Sequence, residues 1–296
     1  IKNNIHFNEI NTSVSGIYKE AKEDTNSINK GRLFTVYGLT GLFAAGTYVS
    51  QIEPWWSGEK TGFRLRYDWY DNYWKDMDKL GHIVANVYLT RLSAESFVWA
   101  GVDRKKALWL GFTNSTLLYT AFELTDAGFE DWGFSIPDYV TNLLGAGYPI
   151  LQEYYPIMNH FNFKWSFWPS TYFQNEAHQT KPGFVNYETY EYLLHDYDGM
   201  TFWLSTDIDW ILPIQYESYW PDWLNIAIGY TAKNLPQDNH ALKYREYILS
   251  FDYNLLKLPG NNSLLNTLKL IFNVIHFPAP AIKFGNNGIT YYLFYF

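Results

Sequence analysis

The sequence predicts an α+β fold in which an apolar helical region precedes an antiparallel sheet. Up to about Pro156 the chain has long apolar stretches of helical texture, and beyond it apolar and polar residues alternate. With 296 residues, 47% of them apolar, there is ample material for a core. We therefore divide the chain into a polar N-terminal segment (1–31), a helical domain (32–158) and an aromatic-rich β domain (159–296).

The helical domain is expected to form one apolar bundle of about four helices. These cover residues 33–51, 77–100, 104–126 and 136–155. The last of them has the clearest start, because Ser135 can cap the helix with Pro137 and Asp138 in its first turn. The most apolar stretch, 33–52, is long enough to cross a membrane, but a buried core helix has the same composition.

Beyond Pro156 the alternation predicts six strands and one helix. The strands cover 163–168, 200–206, 224–230, 246–255, 281–284 and 289–296, and the helix covers 264–275. In the fourth strand Tyr247 and Leu249 fall on one face, opposite Glu246 and Asp252. An apolar face opposite a polar one is typical of lipid-facing barrel strands, but a soluble antiparallel sheet gives the same pattern. A sheet and a partial or small β-barrel therefore both remain open.

Composition narrows the classes of partner. Aromatic residues make up 20% of the chain, and a surplus of Tyr and Trp favours a boundary between water and lipid. The net charge of -8, with only 22 Lys and Arg, argues against nucleic acid. The absence of cysteine excludes disulfides, thiolate catalysis and Cys-type zinc sites. We expect membrane lipid and other outer-membrane or periplasmic proteins as partners.

Three short polar signatures interrupt the apolar helices: Asp78-Lys79-x-x-His82, Glu123-x-x-Asp126 and Asp138-x-x-x-Asn142-x-x-Gly145. Spacings of three and four residues place the polar groups of each signature on one helix face. Polar groups on apolar helices must find partners when they are buried, so the signatures are expected to converge. The predicted polar cluster consists of Asp78, Lys79, His82, Glu123, Asp126, Asp138 and Asn142.

This cluster has chemical and structural interpretations. His82, Glu123 and Asp138 are the catalytic candidates, because a carboxylate beside an imidazole suits acid–base chemistry. If a divalent metal is bound, its predicted ligands are His82, Glu123 and Asp126, although no cofactor is the leading expectation. The structural interpretation makes Asp78 a helix cap that pairs with Lys79 or Arg91, Asp138 a helix cap and His82 a core histidine. No G-x-S-x-G, H-E-x-x-H or phosphate-loop motif is present, which argues against a serine hydrolase.

The signatures also resemble a known family. Segments 77–82, 99–109, 123–129 and 132–138 resemble the YfiM-type family of predicted envelope lipoproteins, a domain of unknown function. Its longer form, common in Bacteroidota, continues with segments similar to 196–205, 223–230 and 277–280. A more distant similarity is to VanZ-type membrane proteins, which share the order of the signatures. It implies a shared polar centre of Asp78, Lys79, His82, Glu123, Asp138, Asn142 and Gly145.

The resemblance implies a location in the cell envelope and brings no known reaction. We expect a protein of the outer membrane, on its periplasmic side or embedded, that acts as a non-enzymatic subunit or assembly factor of an envelope complex. The alternative is a membrane-surface protein that acts on a lipid or cell-wall precursor, either as a metal-dependent hydrolase or as a lipid-binding protein.

Overall fold

The fold is mixed α+β, with helices in the N-terminal part and an antiparallel six-stranded sheet after them, as the sequence predicts. It is known from a computed structural model that describes residues 28–50, 52–56, 58–70, 73–171, 196–208, 211–212, 219–235, 239–260 and 262–296. The predicted polar segment 1–31 lies almost entirely outside these residues.

Six α-helices lie within the described residues. They are α1 (Lys30–Ser50), α2 (Ile52–Trp55), α3 (Met77–Trp99), α4 (Arg104–Asp126), α5 (Ile136–Tyr154) and α6 (Ser263–Phe272). All but the short α2 correspond to predicted helices. That the four long N-terminal helices form a single bundle stays a prediction.

Side-chain caps set where α4 and α5 begin. The Asp103 side chain accepts a hydrogen bond from the Lys106 backbone N–H at the start of α4. Ser135 does the same for α5, where its Oγ lies 3.1 Å from the Asp138 nitrogen. Pro137 occupies the first turn, where a missing N–H breaks no hydrogen bond. This confirms the predicted cap and fixes the position of Asp138.

Two compact units make up the chain. The first comprises 82–156 together with the described chain up to Trp69, and the second comprises 70–81 together with 157–296. Segment 70–81 was placed in the helical domain by the sequence. Within the second unit its Asp76 pairs with Arg245 of the sheet at 2.9 Å, and the Tyr73 carbonyl accepts a hydrogen bond from Lys243 at 3.1 Å.

The first unit has two apolar clusters. One draws on α1, α3, α4 and α5; its buried members are Val36, Ala94, Phe97, Ala100, Ala107, Leu108 and Ile150. The other is aromatic, with Trp56, Phe122 and Phe129 at its centre. A two-stranded parallel ladder joins β1 (Leu65–Arg66) to β2 (Phe134–Ser135), immediately before α5.

Helix α1 is mostly exposed despite its apolar sequence. Within its most apolar 18-residue window only 6% is buried, and Phe34 is 81% exposed. By length and composition it is the one helix among the described residues that could cross a membrane. Its exposure does not fit the core-helix alternative that the sequence left open.

The sheet of the second unit contains six strands in sequential antiparallel order. They are β3 (Phe161–Phe167), β4 (Met200–Thr206), β5 (Leu224–Lys233), β6 (Tyr244–Tyr253), β7 (Ala279–Gly285) and β8 (Gly288–Tyr295). The sheet curls strongly, since the Trp203 ring on β4 lies 5.8 Å from the Tyr295 ring on β8. Helix α6 lies between β6 and β7 in the chain.

Strand register sorts the sheet residues into two faces. One face, here called the apolar face, carries a row of directly paired residues that crosses all six strands: Phe163, Leu204, Ile228, Leu249, Ile282 and Tyr291. The other, the polar face, carries the adjacent row Asn162, Ser205, Ala227, Ser250, Ala281 and Tyr292. The alternation predicted for 224–230 and 246–255 is present in the burial of β5 and β6, whereas β4 is buried at most positions and β8 is mostly exposed.

Candidate functional site

Three helices of the first unit bring His82, Glu123 and Asp138 together. His82 lies near the start of α3, Glu123 near the end of α4, and Asp138 in the first turn of α5. One ligand atom from each side chain lies within 4.8 Å of the other two. The predicted convergence of three signatures thus holds for these three residues.

Close helix packing makes this convergence possible. A Cβ on Gly145 would lie 2.5 Å from the Ile83 carbonyl oxygen, which real Cβ atoms essentially never do. In the same way, a Cβ on Gly111 of α4 would lie 2.4 Å from the Thr90 carbonyl oxygen of α3. Both α4 and α5 therefore approach the backbone of α3 more closely than an alanine would allow.

An amide network fixes the orientation of His82. Its Nδ1 lies 2.9 Å from Asn142 Oδ1, and Asn86 Nδ2 donates to the same oxygen at 2.7 Å. The Asn86 side chain is itself oriented, because its Oδ1 accepts from Ser115 Oγ at 2.6 Å and its Nδ2 donates to the His82 carbonyl at 2.8 Å. Asn142 Oδ1 can only accept, so Nδ1 of His82 carries the proton.

The other imidazole nitrogen faces Asp138. Nε2 of His82 lies 3.7 Å from Asp138 Oδ1, and both side chains are mostly buried. Tyr119 closes one side of the imidazole with a ring contact at 5.6 Å. Burial raises the pKa of Tyr119 to about 12, so this wall stays neutral at physiological pH.

Glu123 is the most deeply buried of the three, with 2% of the residue exposed. One carboxylate oxygen accepts from the Ser135 backbone N–H at 3.1 Å, and the other lies 3.4 Å from Asn142 Nδ2. Ser135 also donates its hydroxyl to Asp68 at 2.6 Å. The residue that caps α5 therefore also holds Glu123, which ties the carboxylate to the helix that carries Asp138.

Asp126 has a different partner from the one predicted. Its carboxylate accepts a hydrogen bond from the Trp56 indole at 2.6 Å, within the aromatic cluster. Burial raises the pKa of Asp126 to about 6, and the indole hydrogen bond partly opposes this shift. The sequence suggested His82, Glu123 and Asp126 as metal ligands. Among the described residues, the carboxylate that lies with His82 and Glu123 in a possible metal-binding group is that of Asp138.

Asp78 and Lys79 pair with each other. Lys79 Nζ lies 2.7 Å from Asp78 Oδ2, and both residues are buried. They occupy the first turn of α3, in the part of that helix that belongs to the second unit. The pairing with Lys79 is one of the structural interpretations that the sequence allowed for Asp78.

Sequence reasoning missed several residues of the site. Asn86 follows His82 by four residues and so shares its helix face, a spacing that could have identified it. Ser115, Tyr119 and Asp68 carry no comparable signal, because nothing in their spacing connects them to the signatures. They join the site only through the packing of α3, α4 and the segment before α5.

The matched family covers this site. Residues 68–154 match the family model described as predicted periplasmic lipoprotein (DUF2279). The matched segment contains α3, α4 and α5, and with them His82, Glu123 and Asp138. It supports a cell-envelope protein of unknown activity. Neither the curated proteins nor the solved structures include a match to this chain.

Proposed function

We propose that this protein is an outer-membrane-associated component of the cell envelope that contacts lipid through the apolar face of its sheet. In this proposal it acts without catalysis, as a subunit or assembly factor of an envelope complex. Its partners are membrane lipid and other outer-membrane or periplasmic proteins. The observation that carries the proposal is that the sheet buries its charged side chains on one face and exposes its large apolar side chains on the other.

The polar face of the sheet is the buried one. Lys164 and Asp252 form an ion pair at 2.7 Å with 1% and 0% of their side chains exposed. Ser205 donates to the same carboxylate at 2.6 Å, and Glu246 pairs with Lys283 at 3.0 Å. Buried charges require partners of this kind. The same face also buries the apolar cluster Trp203, Ala227, Ile248 and Ala281. A soluble sheet normally keeps its charges on the opposite, solvent-exposed face.

The apolar face is largely exposed, apart from Met200 and Phe202 of β4, which are buried. Its exposed large side chains are Leu204, Ile228, Tyr247, Leu249, Phe251, Phe284, Ile289, Tyr291 and Leu293. They come from β4 to β8 and continue across paired strands, so they form one patch and not scattered residues. Monomeric soluble proteins rarely expose large contiguous apolar patches, whereas an apolar exterior around a polar interior is characteristic of outer-membrane strands.

Two further observations support an envelope location. Helix α1 offers an exposed apolar surface of spanning length near the N-terminus of the chain. The matched family is described as a predicted periplasmic lipoprotein, and a lipid anchor would hold such a protein at a membrane surface. Both observations point to a membrane, and the sheet supplies the surface that would contact it.

The lipid-contact proposal is tested by charge substitution on the apolar face. Leu249→Lys and Leu293→Lys each place an ammonium on this face, and Leu65→Lys, outside the sheet, is the matched control. A charge on a lipid-facing strand costs about 2–4 kcal/mol near the bilayer midplane. We expect both sheet variants to be depleted from outer-membrane fractions and the control to sediment like the wild type.

The outcome against this proposal is equally clear. If alkaline carbonate releases the wild-type protein as a soluble monomer, or if both sheet variants remain membrane-bound like Leu65→Lys, the sheet does not contact lipid. The subunit role is tested separately by mild cross-linking and purification from native membranes. It predicts a partner recovered in a fixed ratio, and recovery of the protein alone contradicts it.

The site in the first unit favours a second candidate function, a membrane-surface hydrolase that depends on a metal. An imidazole and two carboxylates can activate water when a metal is bound beside them. The test is complementation of a deletion strain with His82→Ala and Glu123→Gln. A defect in both, at wild-type protein levels, supports the enzyme; full complementation by both rejects it.

A further inference from the structure

We propose that His82, Glu123 and Asp138 form a binding site for one divalent transition-metal ion of the zinc type. The inference goes beyond the proposed lipid contact and does not depend on it. It rests on the protonation of one imidazole nitrogen, the spacing of the three donor atoms, and the hydrogen bonds that hold them.

The first step concerns the free lone pair of His82. Because Nδ1 donates its proton to Asn142 Oδ1 at 2.9 Å, a neutral imidazole presents the Nε2 lone pair to Asp138. Two lone pairs 3.7 Å apart repel each other unless a proton or a cation lies between them. A metal-bound histidine has this arrangement, with the second ring N–H donated to an oxygen.

The second step concerns distance. Ligand atoms that bind one zinc ion at ~2.1 Å are at most ~4.2 Å apart. The His82 and Asp138 atoms, at 3.7 Å, already meet this limit, and the full group lies within 4.8 Å. Small side-chain rotations that move the donor atoms by a few tenths of an ångström each would bring all three within the ~4.2 Å limit. The donors come from three helices, so the site is built by tertiary structure.

The third step concerns the support around the donors. Ser115 orients Asn86, Asn86 orients Asn142, and Asn142 contacts both His82 and Glu123. A chain of amides of this kind fixes ligand orientation before an ion arrives, as the hydrogen-bond partners of metal ligands do in metal proteins. A core histidine that only needed one hydrogen bond would not require it.

The donor set also indicates the ion. One nitrogen and two carboxylates suit zinc or manganese better than calcium, which prefers six to eight oxygen ligands. Three protein ligands leave at least one position for water. His82 keeps 22% and Asp138 13% of the side chain exposed, so solvent and an ion can reach the site. The expected order of affinity is zinc over manganese over magnesium.

The test is calorimetric titration of the chelator-treated protein with Zn²⁺, Mn²⁺ and Mg²⁺. The variants are His82→Gln, Glu123→Gln and Asp138→Asn, and Asp126→Asn is the matched control. Glu123→Gln keeps a side-chain oxygen that can accept from the Ser135 backbone N–H, and Asp138→Asn leaves the backbone N–H that Ser135 Oγ caps. Circular dichroism checks that each variant is folded. A Co²⁺ titration adds a visible spectrum that reports nitrogen and oxygen ligands directly.

We expect one zinc per chain, a Kd at least 10-fold weaker for each ligand variant, and an unchanged Kd for Asp126→Asn. The Co²⁺ spectrum should change in His82→Gln. Three results would overturn the proposal: no saturable zinc binding by the wild type, ligand variants that bind like the wild type, or an equal loss in Asp126→Asn. In each of these cases His82, Glu123 and Asp138 are a hydrogen-bonded polar cluster and not a metal site.

Discussion

The burial of charged residues on the polar face of the sheet leads to a strong prediction about Lys164. Its Nζ lies 2.7 Å from Asp252 Oδ2 and also donates to the Tyr253 carbonyl at 2.7 Å, with almost none of the side chain exposed. If the polar face is the true interior of the second unit, Lys164→Met should be strongly destabilising. The substitution keeps the length of the side chain and removes only its charge and its hydrogen-bond donors.

The magnitude follows from the buried pair. Two unit charges 2.7 Å apart attract by about 6 kcal/mol at an effective dielectric constant of 20. Desolvation offsets much of this attraction, but removal of one partner leaves the other charge buried and costs about 3–5 kcal/mol. The double variant Lys164→Met with Asp252→Leu removes both charges, so it should recover most of this loss.

The assay is denaturant unfolding in detergent micelles, followed by tryptophan fluorescence. The control is Arg245→Met, which removes a more exposed ion pair with Asp76 and a hydrogen bond to the Tyr230 hydroxyl. It should cost less, about 1–2 kcal/mol. If Lys164→Met costs no more than Arg245→Met, the polar face is solvated and the argument from its buried charges fails. If the double variant is no more stable than the single one, the two charges do not act as a pair.

Two further predictions concern the first unit. Gly145→Ala should lower the free energy of unfolding by at least about 2 kcal/mol and weaken zinc binding, because its Cβ would meet the Ile83 backbone. Gly147→Ala has open space at its Cβ and should be neutral or stabilising by up to about 1 kcal/mol. Thermal melts of both variants check this. Asp126→Asn should stabilise the metal-free protein by up to about 3 kcal/mol at pH 7.5. The pKa of the Asp126 carboxyl is about 6 in the folded protein and 3.8 in the unfolded chain, so the ionised carboxylate destabilises the fold at this pH and asparagine removes that cost. The gain should fade as pH drops through 6 toward 4, where the wild-type carboxyl is protonated when folded; equal gains at pH 7.5 and pH 4 would contradict it.

Element positions could be predicted from the sequence because local signals set them. Ser135, Pro137 and Asp138 together define the start of α5, and strict alternation defines β6. The direction of each face could not be predicted, because alternation is the same for a soluble sheet and for a lipid-facing one. The burial of Lys164 and Asp252, with that of Trp203, shows which face is inside.

The candidate site could be predicted in part for a similar reason. Helical spacing predicts that His82 shares a helix face with Asp78, and Asn142 with Asp138. It does not predict which carboxylate of another helix lies beside the His82 imidazole. Asp126 and Asp138 have the same chemistry, and the choice between them depends on the Trp56 indole that holds Asp126. This contact links residues 70 positions apart, which no local pattern reports.

The lipid contact and the metal site are carried by different units, so the two proposals can fail separately. Leu249→Lys changes the sheet and should leave zinc affinity at its wild-type value. Asp138→Asn changes the helical site and should leave the protein in the membrane fraction. A protein that needed its metal to reach the membrane would instead lose both properties in Asp138→Asn alone. That result would make the ion a condition for membrane association, and an assembly role for the metal would then explain the site better than catalysis.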